Sequence, residues 1–248
     1  MNSGFLLINK PADLPRDLSR EALGNPRAAW EASAKWGPTS HDIIDELRKI
    51  TGERRIGHAG TLDPFASGLL IVAVGREATR NIAQFVKHDK TYIAKLHLGA
   101  TSDTFDRTGI IKTQEHKNKK TKKQIQNVLQ KFIGEQMQTP PMYSAKKVGG
   151  KKLYELARQG IEIERKPVNI KIDYIKILKF EYPGLEIETR VSSGTYIRSL
   201  AHDIGQTLGC GAYLEELERT EIGNFKLKNA VETKNLTKEN WQKYLFQI

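Results

Sequence analysis

A chain of 248 residues is long enough to bury a sizeable core, as one large domain or two small ones. Its 40 Lys and Arg outnumber 29 Asp and Glu, for a net charge of +11 and a pI near 9.6; with no long basic amphipathic helix apparent, this favours nucleic acid over membrane as the polyanionic partner. No stretch approaches the ~20 apolar residues of a membrane span, and the lone Cys210 excludes an internal disulfide.

In chain order, Gly4 to Asn9 predicts a short apolar strand that ends at Lys10-Pro11. The start MNSGFLLINK lacks the basic region and long apolar core of a signal peptide, so a cytoplasmic protein is expected. Ala12 to Lys35 contains Ala22, Ala28, Ala29, Ala32 and Ala34, which permits one or two short helices. Thr39 and Asp42 make a capping-box-like start, after which Ile43, Ile44, Leu47 and Ile50 recur at helical spacing. Ser67-Gly68-Leu69-Leu70-Ile71-Val72-Ala73-Val74 is an apolar run of strand length, and Thr91 to Leu98 alternates as a strand. His116 to Lys123 is a cationic run, readable as a solvated loop or an RNA contact. Ile125, Val128, Leu129, Phe132 and Ile133 mark one face of a second helix. Val168 to Phe180 is rich in Ile, and its apolar phase slips near Tyr174-Ile175 as a bulge would cause. Leu185, Ile187, Thr189 and Val191 alternate with polar residues along a half-buried strand. Gly209 and Gly211 place Cys210 in a tight turn, and Leu236 to Phe246 predicts one closing helix. Strands and helices mix without regular βαβ alternation, which argues an α+β fold with a mainly antiparallel sheet.

One turn concentrates the chemical interest. Gly60-Thr61-Leu62-Asp63-Pro64-Phe65-Ala66 isolates a single carboxylate among apolar neighbours. Pro64 fixes its own backbone and pushes Asp63 towards an extended conformation. An acid between Leu62 and Phe65 calls for a charged partner or an altered affinity for its proton. Alone, an Asp-Pro pair reads as a turn cap; the longer string points further. The histidines lack metal-ligand spacing, and neither a phosphate-binding loop nor a dinucleotide fingerprint is present.

The string GHAGTLDPFASGLL, from Gly57 to Leu70, resembles the catalytic motif of the TruB family of pseudouridine synthases, which act at uridine 55 of tRNA. Six further blocks stand in family order: Gly37 to Asp42, Asp89 to Tyr92, Leu98 to Asp106, Pro141 to Lys146, Lys152 to Gly160 and Gly194 to Arg198. Together they cover roughly Gly4 to Phe225, apart from the insert at 12–35. The resemblance implies the pseudouridine-synthase fold and one catalytic domain over 1–248, with no C-terminal PUA-type RNA-binding module.

It also implies a cofactor-free and metal-free isomerisation. The glycosidic C–N bond breaks, the base rotates and a C–C bond forms, with no redox change. Asp63 would attack covalently or take a proton, and Arg198 would be its counter-charge. Tyr196, two residues earlier, would share a strand face with Arg198, pack against the base and serve proton transfer. Tyr92 would stack on the target base, His58 would fill the space left by flipped nucleotides, and Leu217 would line the base pocket. Family members usually follow that leucine with two arginines, whereas Glu218 replaces the first here. Arg80 matches a basic position facing phosphate. Lys146, Lys147, Lys151 and Lys152 surround Gly149-Gly150 like a basic flap that closes on the RNA backbone. The expected partner is the tRNA T-stem-loop, read by a monomer with no obligate protein partner. Two alternatives stay open: a guide-RNA-dependent or other-site pseudouridine synthase, and a non-catalytic tRNA-binding or folding protein.

Overall fold

Alternation of side chains across a strand explains why one eight-residue run organises half of this chain. In the computed structural model, which describes residues 3–12, 38–114, 120–144, 147–148, 150–157 and 159–247, Ser67–Val74 is buried on both faces. Leu70, Val72 and Val74 point one way, into a cluster with Leu6, Ile8, Ile43, Ile44, Leu47 and Trp241. Leu69, Ile71 and Ala73 point the other way, against Phe5, Ala78, Phe85 and Ile222. A period of two with apolar residues at every step is the pattern of a strand covered on both sides.

The strands are β1 (Gly4–Lys10), β2 (Ile56–His58), β3 (Ser67–Val74), β4 (Lys90–Leu98), β5 (Ala100–Ser102), β6 (Ile111–Thr113), β7 (Gly134–Gln138), β8 (Lys147–Val148), β9 (Lys151–Lys152), β10 (Val168–Glu181), β11 (Gly184–Val191), β12 (Ala212–Ile222) and β13 (Phe225–Lys226). The helices are α1 (Ser40–Thr51), α2 (Arg76–Asn81), α3 (Ala83–Val86), α4 (Lys122–Gln130), α5 (Leu153–Ala157) and α6 (Ile197–Leu208). The chain divides into two units, residues 1–93 with 217–248, and residues 94–216.

In the first unit the strand order is β1-β3-β12-β4, with β2 also paired to β3 and β13 to β12. β1 and β2 run antiparallel to β3, while β12 meets β3 in parallel at Glu218–Ser67 and Arg219–Gly68. Helix α1 carries the expected capping box: Thr39 Oγ1 accepts from the Asp42 amide and Asp42 Oδ2 accepts from the Thr39 amide. Gly52 ends it in the left-handed conformation. Leu236 to Phe246 is not the single helix expected. It contains a short 3-10 turn, Trp241–Tyr244, because Phe246 leaves to exchange two backbone hydrogen bonds with Phe5 on β1.

In the second unit the order is β12-β4-β11-β10-β7. The phase slip expected near Tyr174 is present: the pairing of β10 with β11 shifts between Ile172 and Tyr174, and again between Ile177 and Lys179. Helix α4 starts on a second capping box, Thr121 with Gln124, and packs on β10 and α6. It ends at Gln130, so Phe132 and Ile133 fall in the turn beyond it. Cys210 is buried between two left-handed glycines, as its neighbours imply. The architecture is α+β with a mixed, mainly antiparallel sheet. The insert beyond Ala12 lies outside the described residues, as do His116 to Lys119 of the cationic run; of the rest of that run, Thr121 caps α4 and Lys122 and Lys123 begin it.

Candidate active site

The loop that carries Asp63 leaves β2 at His58 and returns as β3 at Ser67. Proline and glycine shape its path, but three polar side chains from elsewhere in the first unit hold it. Ser40, at the start of α1, accepts from the Leu62 amide at 2.9 Å and donates to the Leu62 carbonyl at 3.3 Å. Lys10, fully buried at the end of β1, donates to the carbonyls of Pro64 at 3.0 Å and Ala66 at 2.5 Å. Arg219, 1% exposed on β12, donates from Nε to the Leu69 carbonyl at 2.8 Å and from Nη2 to the Gly60 carbonyl at 3.1 Å. The Ala66 amide closes the turn on the Asp63 carbonyl at 3.0 Å. Leu62 and Phe65 are buried on either side, while Asp63 itself stays partly exposed. The backbone around this partly exposed residue is thus fixed.

Gly68 shows how tightly the loop closes. Its φ is +106°, and a Cβ there would fall 2.6 Å from the Arg219 amide nitrogen. His58, at the loop's entrance, is half-buried, and its Nδ1 has no hydrogen-bond partner among the described residues. Burial, then the Arg219 guanidinium and His41, hold its imidazole below the usual histidine range, so it is neutral near pH 7. Tyr92 lies on β4 with 8% of its surface exposed, and Leu217 on β12 is equally covered. Arg80 is exposed on the last turn of α2 and has no ion pair among the described residues.

The second unit builds a different constellation. Arg198 is buried, with Nη1 3.3 Å from Asp106 Oδ2 and from the Thr104 carbonyl, and Nη2 2.8 Å from the Tyr143 carbonyl. Asp106 is just as buried. Its Oδ1 accepts from Thr104 Oγ1 at 2.8 Å, the Thr108 amide at 2.9 Å and Thr108 Oγ1 at 2.5 Å. Phe105 precedes it at a φ of +65°, a conformation rare outside glycine, and stacks on His202 with ring centroids 4.0 Å apart. Tyr196 and Arg198 do not share a strand face. Tyr196 is the N-cap of α6 and Arg198 lies in its first turn, because Gln138 clamps the Tyr196 backbone from both sides, at 2.8 and 3.0 Å. Ser199 donates to the Thr139 carbonyl and fastens the same turn.

β8 and β9 form a two-strand hairpin around Gly150, the position expected for the basic flap. Lys146 lies outside the described residues, and of Lys147, Lys151 and Lys152 only the backbone is described. Asp63 belongs to the first unit, and Arg198, Tyr196 and the hairpin to the second.

A model of the TruB family pseudouridylate synthase N-terminal domain matches residues 48–197, and one of the tRNA pseudouridylate synthase B C-terminal domain matches residues 198–247. The chain belongs to the TruB family. Two relatives, each named tRNA pseudouridine synthase B, are close in sequence to this TruB chain. The one from Protochlamydia amoebophila is 49% identical over 92% of this chain and 77% of its own length. The one from Chlamydia muridarum is 46% identical over 81% of this chain and 82% of its own. Among solved structures, the Cbf5-Nop10-Gar1 complex contains a chain 28% identical at a TM-score of 0.62, over 94% of this chain. An H/ACA RNP bound to a substrate RNA containing 2'-deoxyuridine contains one 26% identical at a TM-score of 0.60. The TruB chain spans 62% and 65% of those two chains. It is an isomerase of the pseudouridylate synthase class.

Four site residues escape sequence reasoning: Lys10, Ser40, Asp106 and Arg219. Asp106 sits in one of the blocks that carry the resemblance, but its pairing with Arg198 has no local signature. Lys10 and Arg219 act on backbone carbonyls, which any sequence supplies at every position.

Proposed function

We propose that this chain isomerises uridine 55 in the T-arm of tRNA to pseudouridine, with Asp63 as the catalytic carboxylate acting on a flipped nucleotide. The observation that carries the reading is the Asp63 loop, whose backbone is fixed by three buried side chains while Asp63 itself stays partly exposed. A group that must meet the ribose or base in one geometry needs such a mount. Arg198 and Tyr196 are the second unit's residues for this reaction, and Tyr196 packs against the base. Tyr92 stacks on it, Leu217 lines its pocket, and neutral His58 fills the gap left by extrusion. Arg80 and the Lys146, Lys147, Lys151 and Lys152 hairpin contact phosphates. The protein works as a single catalytic domain and a monomer, without a cofactor, in the cytoplasm.

The relatives' shared name and their 46–49% identity support tRNA as the substrate. The chains in the Cbf5-Nop10-Gar1 complex and the H/ACA RNP are less similar, at 28% and 26% identity, and a guide-RNA-dependent reaction is the second reading. The test is to incubate the purified protein with an unmodified tRNA transcript and map pseudouridine by chemical adducts that stop reverse transcription. A single new stop at position 55 is expected. Modification elsewhere, or none without a guide RNA, would overturn the reading.

A further inference from the structure

Buried charge is expensive unless an opposite charge or several hydrogen bonds compensate it. Arg219 is 1% exposed, yet no carboxylate pairs with it among the described residues. Its guanidinium donates to two backbone carbonyls, of Gly60 and Leu69. Two titratable groups that feel its charge, His58 and Lys90, are bases that gain nothing from it: burial first, and then the Arg219 guanidinium, lower their affinity for a proton. A methionine would fill much of that volume without a charge, but would leave both carbonyls without this donor. The retained charge therefore points to the two carbonyls it binds.

Those carbonyls stand at the two ends of the loop that holds Asp63. Gly60 is three residues before the carboxylate and Leu69 is the third residue of β3. One rigid fork joins them, with two donors in fixed relation. Parallel pairing of Arg219 with Gly68 brings the arginine backbone alongside, at an approach that only glycine permits. Ser40 and Lys10 then fix the interior of the loop at Leu62, Pro64 and Ala66.

We propose that Arg219 is a positioning residue that ties both ends of the Asp63 loop together and so sets the catalytic carboxylate, not a contact to the RNA backbone. This rests on the reading of Asp63 as the catalytic group. Displacing a reacting atom by about 1 Å costs on the order of 100-fold in rate, and the loss should fall on chemistry and spare binding.

Single-turnover rates and equilibrium binding of an unmodified tRNA transcript test it on wild type, Arg219→Met, Arg219→Lys and Asp63→Asn, each checked by circular dichroism to be folded at the assay temperature. Arg219→Met should lose roughly 100-fold in the single-turnover rate and keep tRNA affinity within about threefold. Arg219→Lys keeps the charge but loses the fork, and should recover part of the rate. A folded Arg219→Met with the wild-type rate, or one whose loss lies wholly in affinity, would overturn the proposal. Should Arg219→Met not fold, Arg219→Lys decides: a wild-type rate there overturns it and a reduced rate with intact affinity supports it. Turnover by Asp63→Asn would instead overturn the catalytic reading itself, which keeps the two failures distinguishable.

Discussion

Arg198 and Asp106 show how much one buried pair can demand of a site. Removing the arginine leaves the buried Asp106 carboxylate without this ion pair, a change that costs about 3–5 kcal/mol in other proteins. Arg198→Ala is therefore expected to lower the melting temperature as well as the rate. Arg198→Lys should rescue only partly, since a point charge cannot serve Asp106, Thr104 and Tyr143 in one plane. A wild-type rate and melting temperature in Arg198→Ala would contradict this. Asp203 offers a separate test. Burial raises its carboxyl from 3.8 to about 6, so the fold favours the protonated form. Its contribution to stability is fully present below the ordinary carboxylate value and is lost as pH rises through about 6. Asp203→Asn should raise the melting temperature at pH 7 and change it little at pH 4. Equal shifts at both pH values would show that burial does not govern this group.

Among the elements, the pairing of β3 with β12 is the most exacting. Gly68→Ala puts a methyl group against the Arg219 backbone at a φ that L residues avoid. A loss of roughly 3 kcal/mol or more is expected, from strain and overpacking together, measurable by urea denaturation. Unchanged stability would mean that β12 can draw away from β3. Much of this level is legible in sequence because its causes are local. The unbroken apolar run of β3, the Thr39–Asp42 capping box and the phase slip in β10 each announce themselves within a few residues. The supports of the site do not. Lys10 reaches a carbonyl 56 positions away and Arg219 one 159 positions away. The start of α6 was hidden for a related reason. Tyr196 and Arg198 read as strand until Gln138, remote in sequence, caps the backbone and turns it into a helix. The 236–246 segment has the composition of a helix, but its end is captured by β1.

For the whole molecule, a net charge of +11 makes association with RNA electrostatic and therefore dependent on salt. Each phosphate neutralised adds about 0.7–0.9 to the slope of log affinity against log salt. Replacing Lys146, Lys147, Lys151 and Lys152 by Gln should flatten that slope, weaken every tRNA alike, and leave the rate at saturating tRNA nearly unchanged. An unchanged slope in a salt titration would remove the hairpin from the RNA interface and direct attention to the 12–35 insert. No helix among the described residues is long and apolar enough to cross a membrane. If, as proposed, the Asp63 carboxylate performs the isomerisation, no product can form without it. The most direct measurement is the single-turnover yield of pseudouridine at position 55 with Asp63→Asn, repurified and free of deamidated protein, beside its tRNA affinity. Asp63→Asn should form no product while binding tRNA with near wild-type affinity; product from that variant would overturn the assignment of Asp63.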